Sequence, residues 1–149
     1  MEMANKDAEQ VIDEISKLGA MRELSPSRFA DETGLANKLA KSFGKDGLKA
    51  TQLRKVFHAL KEIERKVNRE IKGGRKKKND AFEVQELTLL MPDLAYAKGR
   101  GLIPDEFYKV LRLTLRERVK TYEDFERAMQ FIEAVLAYHK FHNPSGSRG

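Results

Sequence analysis

The stretch from Thr51 to Lys72 constrains the fold of this 149-residue chain more than any other part of it. Apolar residues recur there at spacings of mostly three and four, at Leu53, Val56, Phe57, Leu60, Ile63, Val67 and Ile71. This spacing matches the period of an α-helix, so it predicts a helix over 51–72 that buries one side. Thr51 is the predicted N-cap, and Gly73 with Gly74 is the predicted end.

The opposite side of this predicted helix is basic. Its members also recur at three and four, and the arc that they occupy contains no acid: Arg54, His58, Lys61, Arg65, Arg69 and Lys72. The pairs Lys61–Arg65 and Arg65–Arg69 place like charges one turn apart, which costs each pair about 0.2–0.5 kcal/mol. A polyanion would relieve this repulsion, because a row of cations can follow successive phosphates. The alternative is an ordinary solvent-exposed helix face.

The positive charge of the chain is concentrated in this region. Residues 51–78 hold 11 Lys and Arg against three Asp and Glu, a net charge of +8. Residues 1–50 (8 basic, 9 acidic) and 79–149 (10 basic, 11 acidic) each carry −1, which gives the +6 of the whole chain. A pI near 9.5 points to an anionic partner, most often nucleic acid.

The rest of the chain also follows a helical pattern, and no segment alternates with period two. Amphipathic or capped segments predict further helices at 7–18, 35–44, 82–91, 104–119 and 122–142. Pro92 is expected to end or kink one of them, and Thr121 with Asp124 forms a predicted capping box. The fold class is therefore all-α, a compact bundle of about five to six helices in a single domain over 1–149. Residues 1–6 and 143–149 are expected to be flexible tails, 44–47 a turn and 73–80 a mobile basic loop.

Several kinds of site are disfavoured by composition. The chain has no Cys, so disulfides and thiolate metal sites are excluded. No apolar run approaches the length of a membrane span, and we expect a cytoplasmic protein. His139 and His142 lack the spacing of a metal motif and any positioned nucleophile, so we expect no metal, no cofactor and no catalytic residue. A small RNase that uses these two histidines is a remote alternative.

Two further groups of cations could meet an anion. Lys109, Arg112, Arg116 and Lys120 form a second stripe, weakened by flanking Glu106 and Glu117. In Lys98-Gly99-Arg100-Gly101, two cations stand among glycines that let backbone amides approach a phosphate. A charge-balanced face and an ordinary turn between helices are the respective alternatives.

Three motifs together resemble a known family. They are LKATQLRK (48–55), LTLLMPDLAYAKGR (87–100) and DFERAMQFIEAVLAYHKFH (124–142). In this order they resemble the Csm small-subunit family, the small helical subunit of type III-A CRISPR effector complexes. The resemblance implies a bundle-like subunit without catalytic activity that contacts the crRNA–target RNA duplex through basic side chains. It also implies as partners crRNA, target RNA, other Csm effector subunits and further copies of the same chain.

The resemblance adds particular residues to the basic stripe: Arg54 and Lys55, Lys98 and Arg100, and His139 and Lys140. The complete predicted RNA-binding set is Arg54, Lys55, His58, Lys61, Arg65, Arg69, Lys98, Arg100, His139 and Lys140. We therefore expect a non-catalytic RNA-binding structural subunit of a type III-A CRISPR ribonucleoprotein.

The main alternative is a helix-turn-helix-like DNA-binding protein, with 44–47 as the turn and the helix from 51 as the reader. Base-reading cations would cluster at the start of that helix, whereas here they continue along its whole length. Apolar residues such as Leu113 and Phe141 lie off the main stripes. A weak homodimer of the free subunit is therefore a further expectation.

Overall fold

The structure is a computed structural model that describes residues 2–43 and 48–144, with side chains from Lys6 onward. Within these residues there are six α-helices and no strand, which confirms the all-α prediction: α1 Glu2–Ser16, α2 Leu35–Ser42, α3 Ala50–Lys72, α4 Gln85–Gly99, α5 Asp105–Arg112 and α6 Tyr122–His142. Short 3-10 turns at Met21–Glu23 and Pro26–Arg28 connect α1 to α2, and a π-helical turn at Leu113–Glu117 continues α5. The predicted turn at 44–47 and residues 145–149 of the predicted tail 143–149 lie outside the described residues.

Two helices start earlier than predicted. Helix α1 begins at Glu2 rather than Asp7, so the predicted tail at its start is helical from Glu2 onward. Helix α3 begins at Ala50 after an extended Lys49, whose side chain does not cap it. The predicted Thr51 cap is therefore wrong, since Thr51 lies inside the first turn. The predicted end is confirmed: Gly73 follows the last helical residue, and Gly74 adopts a φ of 78°, which favours glycine.

Helix α4 does not end at Pro92 but runs through it to Gly99. A proline removes one backbone hydrogen bond, here the one to the carbonyl of Thr88, and both residues are exposed. The missing bond therefore leaves no buried carbonyl unpaired, while Leu87 and Leu94 on either side bury their side chains. The predicted turn at 98–101 is consequently the last turn of α4 and its cap.

The core forms where α6 packs against α2 and α3, and α1 packs against α2 and α5. Aromatic pairs join distant segments edge to face, with Phe29 5.6 Å from Phe131 and Phe43 5.3 Å from Phe107 between ring centroids. Phe131 lies off the main apolar stripe of α6, and its burial against Phe29 explains that position. The N-terminal third of the chain is thus built into the bundle.

The predicted helix over 104–119 changes its winding after Arg112. The hydroxyl of buried Thr114 donates to the carbonyl of Val110 at 2.8 Å, and the amide of Arg118 donates to the carbonyl of Leu113 at 3.0 Å. The second bond spans five residues and defines a π turn, a widening of the helix that is frequent at functional sites. Leu113 is buried there, so it is not an exposed dimer contact in the free subunit.

The basic loop after α3 lies against the start of α6. The amide of Glu123 donates to the carbonyl of Lys78 at 2.9 Å, and that of Phe82 donates to the carbonyl of Lys120 at 2.9 Å. The Lys78 ammonium lies 3.3 Å from the Glu126 carboxylate. Backbone bonds and an ion pair therefore join the loop to α6, while its mobility stays a prediction. This position also shows that α3 and α6 run in opposite directions.

Candidate nucleic-acid interface

A cavity of about 180 Å³ lies where the N-terminal end of α3 meets the C-terminal end of α6. The antiparallel packing of these two helices brings the ends together. The cavity is lined by Ala50, Arg54, Leu136, His139, Lys140 and Asn143. Two of these residues are cations, and none is acidic. The walls are otherwise apolar side chains, an imidazole ring and an amide.

Arg54 and Lys140 come from different motifs, 86 positions apart in the sequence, and the fold places both at this cavity. The first turn of α3 contributes positive potential as well. It has no acidic residue, and the side chain of its N-cap accepts no bond from the backbone amides. The amides at a helix N-terminus and the helix dipole both favour a bound anion. The cavity therefore combines several features that attract a phosphate.

His139 does not lie on the surface. Its side chain is only 3% exposed, and its Nε2 lies 3.0 Å from the carbonyl oxygen of Leu48. A carbonyl only accepts hydrogen bonds, so Nε2 carries the proton in this contact. Burial lowers the pKa of His139, because the cationic ring would be poorly solvated there. His139 is therefore not an exposed cation, and its contact with RNA stays a prediction: the ring forms an inner wall of the cavity and holds the segment before α3.

The middle of the basic stripe is partly neutralised. Lys61 binds the Glu64 carboxylate at 2.7 Å, and Arg65 forms an ion pair with Glu62. The hydrogen bond that Lys61 donates to Glu64 raises the pKa of Lys61. These acids lie outside the arc of the stripe, but their side chains reach into it from three residues away. The repulsion expected from Lys61 and Arg65 is thus relieved within the helix, without a polyanion.

The other predicted residues of α3 remain available at its surface. Lys55, His58 and Arg69 are exposed, and none of the three has an ion pair within the described residues. Lys66, which lies outside the stripe, is paired with Glu86 of α4. The positive face of α3 is therefore strongest towards its two ends and weakest in its middle.

Lys98 and Arg100 form a separate group at the end of α4. Lys98 lies 3.4 Å from Asp105, whose pKa is lowered mainly by Lys109 and also by Lys98. Arg100 donates to the Tyr96 hydroxyl at 3.2 Å, with its guanidinium 5.7 Å from the centre of that ring. Tyr96 is 64% exposed. These residues pair a cation with an exposed aromatic ring, but none of them lines the cavity.

The model of the Csm2 Type III-A family matches residues 27–145. The chain belongs to this family. No curated protein and no solved structure matches it. The match covers α2 to α6, including the cavity, and begins after α1. The Csm2 family is the small subunit of the type III-A Csm complex, and it is a structural subunit that generally has no catalytic role. Membership implies association with the Csm complex and with crRNA.

Two kinds of feature are absent from the described residues. Within the described part of the chain, no three His, Asp or Glu side chains are placed to hold a metal ion. In the same residues, no helix combines the length and the apolar character that crossing a bilayer requires. His142, the second histidine of the hypothetical RNase, has its Nε2 2.6 Å from the side-chain oxygen of Asn37.

Sequence reasoning missed the residues that complete the cavity in this Csm2 chain. Asn143 was assigned to the predicted tail 143–149, yet it caps α6 and its side-chain amide donates to the carbonyl of His139 at 3.0 Å. Ala50 and Leu136 have no chemical signature of a site. The sequence signal for this cavity was limited to the cations in two motifs. Periodicity within one helix does not show which helix ends meet in the fold.

Proposed function

We propose that the chain is the non-catalytic RNA-binding subunit of a type III-A CRISPR ribonucleoprotein, and that its α3–α6 cavity receives a backbone phosphate of the crRNA–target RNA duplex. The observation that carries this proposal is the convergence of Arg54 and Lys140 at the start of α3. Guanidinium and ammonium groups both bind phosphate, and the guanidinium can do so with two parallel hydrogen bonds. No base edge needs to be read, because pairing with the crRNA selects the target.

From the cavity, the duplex backbone continues along α3. This helix has 23 residues and is therefore about 35 Å long, enough to follow several phosphates. Lys55, His58 and Arg69 supply further contacts, while Lys61 and Arg65 contribute less because carboxylates hold them. Lys98 and Arg100 at the end of α4 provide a second group of contacts beside an exposed ring. Each contact is weak alone, and several copies in one particle add their effects.

The same surface also carries an exposed apolar side chain that a neighbouring subunit would cover. Phe141 is 73% exposed directly beside Lys140, which favours a neighbouring protein at the edge of the RNA site. We infer that this neighbour is another Csm subunit or a further copy of the chain, and that the isolated subunit forms at most a weak homodimer. The particle works where its crRNA is, in the cytoplasm.

The RNA proposal is tested by neutralising the cavity. The double variant Arg54→Gln/Lys140→Gln should bind an RNA duplex about tenfold more weakly at moderate salt, whatever its sequence, because two phosphate contacts are lost. The slope of log K against log salt should fall by roughly two. Fluorescence anisotropy over a salt series measures both quantities.

The matched control is Lys6→Gln/Lys41→Gln, which removes two exposed cations from α1 and α2. An unchanged affinity and salt slope in the cavity variant, relative to this control, would refute the phosphate site. Sequencing the nucleic acid that co-purifies with the protein tests the wider function. CRISPR repeat-derived RNA supports it, and promoter DNA would instead establish the helix-turn-helix alternative.

The DNA-binding alternative has little support from the packing. In a helix-turn-helix unit the first helix braces the reader, whereas α2 packs chiefly against α6 and α1. Its proposed turn, 44–47, lies outside the described residues. The isolated chain is also expected to cleave no RNA, because His139 is buried against the Leu48 carbonyl.

A further inference from the structure

A second basic cleft lies between α4 and the α5–π segment, away from the residues of the α3–α6 cavity. It has a volume of about 380 Å³ and is lined by Met91, Tyr108, Arg112, Arg116 and Glu117. The cleft borders the π turn, which widens the helix after Arg112. These arginines belong to the second basic stripe, which the proposed function does not use.

The two arginines keep their charge available. Both are exposed, and neither forms an ion pair within the described residues. Arg116 donates from Nη1 to the hydroxyl of Thr88 at 3.1 Å, so a neutral group positions it without cancelling its charge. This differs from Lys61 and Arg65 on α3, which carboxylates hold. Glu117 is the acid at the cleft, and the lining still has a net charge of +1.

The remaining wall of the cleft suits a flat, apolar surface. Tyr108 and Met91 are both half-buried and pack against the core. Their inner parts are fixed, while their outer parts face the cleft. An aromatic ring offers a stacking surface to a nucleobase, and a thioether adapts well to a ring edge. Proteins that bind single-stranded nucleic acids combine cations with aromatic rings in this way.

We propose that this cleft binds one nucleotide unit of a single-stranded nucleic acid, with the base against Tyr108 and Met91 and the phosphate between Arg112 and Arg116. A duplex does not offer this contact, because its bases are stacked and paired. The site is thus different in ligand from the α3–α6 cavity and does not depend on it. An acidic peptide would use the same charges but would not require the ring of Tyr108.

The experiment uses the full chain and three probes: a labelled single-stranded oligoadenylate, its deoxy counterpart, and inorganic polyphosphate as a polyanion without bases. The variant Arg112→Gln/Arg116→Gln should bind both oligonucleotides about tenfold more weakly than the control Lys6→Gln/Lys41→Gln. Tyr108→Leu should weaken oligonucleotide binding about tenfold and leave polyphosphate binding unchanged. Tyr108→Phe keeps the ring and should bind like the unmodified chain.

The outcomes separate the two sites. Arg54→Gln/Lys140→Gln should lose duplex affinity and keep this single-strand response, so failure at one site is recognised without the other. If the arginine variant binds oligonucleotides like its control, the proposal is wrong. It is also wrong if Tyr108→Leu binds them like the unmodified chain, since the cleft would then be a simple anion site for a partner such as an acidic peptide. Thermal melting of each variant shows that the comparison is made on folded protein.

Discussion

The two ends of α6 use their polar groups in opposite ways. At its start, the Asp124 side chain is fully buried and accepts bonds from the Arg22 amide at 2.8 Å, the Arg22 guanidinium at 2.9 Å and the Thr121 amide at 3.0 Å. At its end, Lys140 is exposed beside a cavity whose lining, among the described residues, includes no carboxylate. One end therefore satisfies its buried charge within the chain, and the other is the end at which we propose that a ligand binds.

This contrast teaches that charge in the sequence and charge available to a partner are different quantities. Helix α6 has 21 residues and is about 30 Å long, so its two ends act independently. The basic loop 73–80 lies at the start of α6, which we call its structural end, where Glu126 pairs with Lys78. The pair Arg54 and Lys140 lies at the cavity beside the C-terminal end of α6, which we call its open end. Substitutions at the two ends should accordingly separate stability from binding.

The largest effect is expected at the structural end. Asp124→Ala removes the capping box and leaves the backbone amides of Arg22 and Thr121 without their acceptor, so we expect the free energy of unfolding to fall by about 2–4 kcal/mol. Urea denaturation measures this loss. Under conditions where the variant is folded, its affinity for an RNA duplex should equal that of the unmodified chain.

Asp13→Ala provides the control, because it also removes an aspartate that pairs with a cation, but on an exposed face of α1. Its cost should stay below about 0.5 kcal/mol. If both substitutions have similar small effects, Asp124 does not support the fold as its contacts suggest. A loss of RNA affinity in folded Asp124→Ala would instead couple the two ends.

Local features of the sequence predicted most of the fold. The capping box of Thr121 and Asp124 was predictable because its two members lie three residues apart, and the structure contains it. The apolar period of α3 likewise gave the buried side, on which Leu53, Leu60 and Val67 lie. Interactions within one or two turns leave a pattern that can be counted.

The candidate site depended on contacts that such a pattern does not contain. The meeting of Arg54 with Lys140, and of His139 with Leu48, joins segments that lie far apart in the chain. The acids Glu62 and Glu64 were visible in the sequence. However, a count of the residues inside the arc ignored how far their side chains reach. Side-chain reach within α3 neutralised Lys61 and Arg65, and tertiary packing buried His139.

A second prediction compares two histidines, His139 at the open end of α6 and His58 on exposed α3. Because burial lowers the pKa of His139, the folded chain binds fewer protons than the unfolded chain below about pH 6.5. The contribution of His139 to the free energy of unfolding is thus fully present above that pH. It is lost as the pH falls, by at most about 1.4 kcal/mol per pH unit.

His139→Gln cannot titrate, so its free energy of unfolding should fall less steeply than that of the unmodified chain between pH 6.5 and 5. His58→Gln is the matched control, because it makes the same substitution at an exposed histidine of α3. The neighbouring charges Arg54, Lys140 and His142 are present in both variants. Equal slopes in all three proteins would show that the His139 ring gains solvent on protonation without unfolding.

The smallest expected effect concerns the middle of α3, where carboxylates hold the cations. Glu62→Gln/Glu64→Gln releases Arg65 and Lys61, so binding of an RNA duplex should become about threefold tighter with a steeper salt dependence. The control Glu9→Gln/Glu32→Gln makes the same change in net charge at exposed positions away from α3. Anisotropy titrations at several salt concentrations compare the two. A gain in both variants would reflect net charge alone, whereas a gain in neither would mean that the RNA bypasses the middle of the stripe and contacts only the ends of α3.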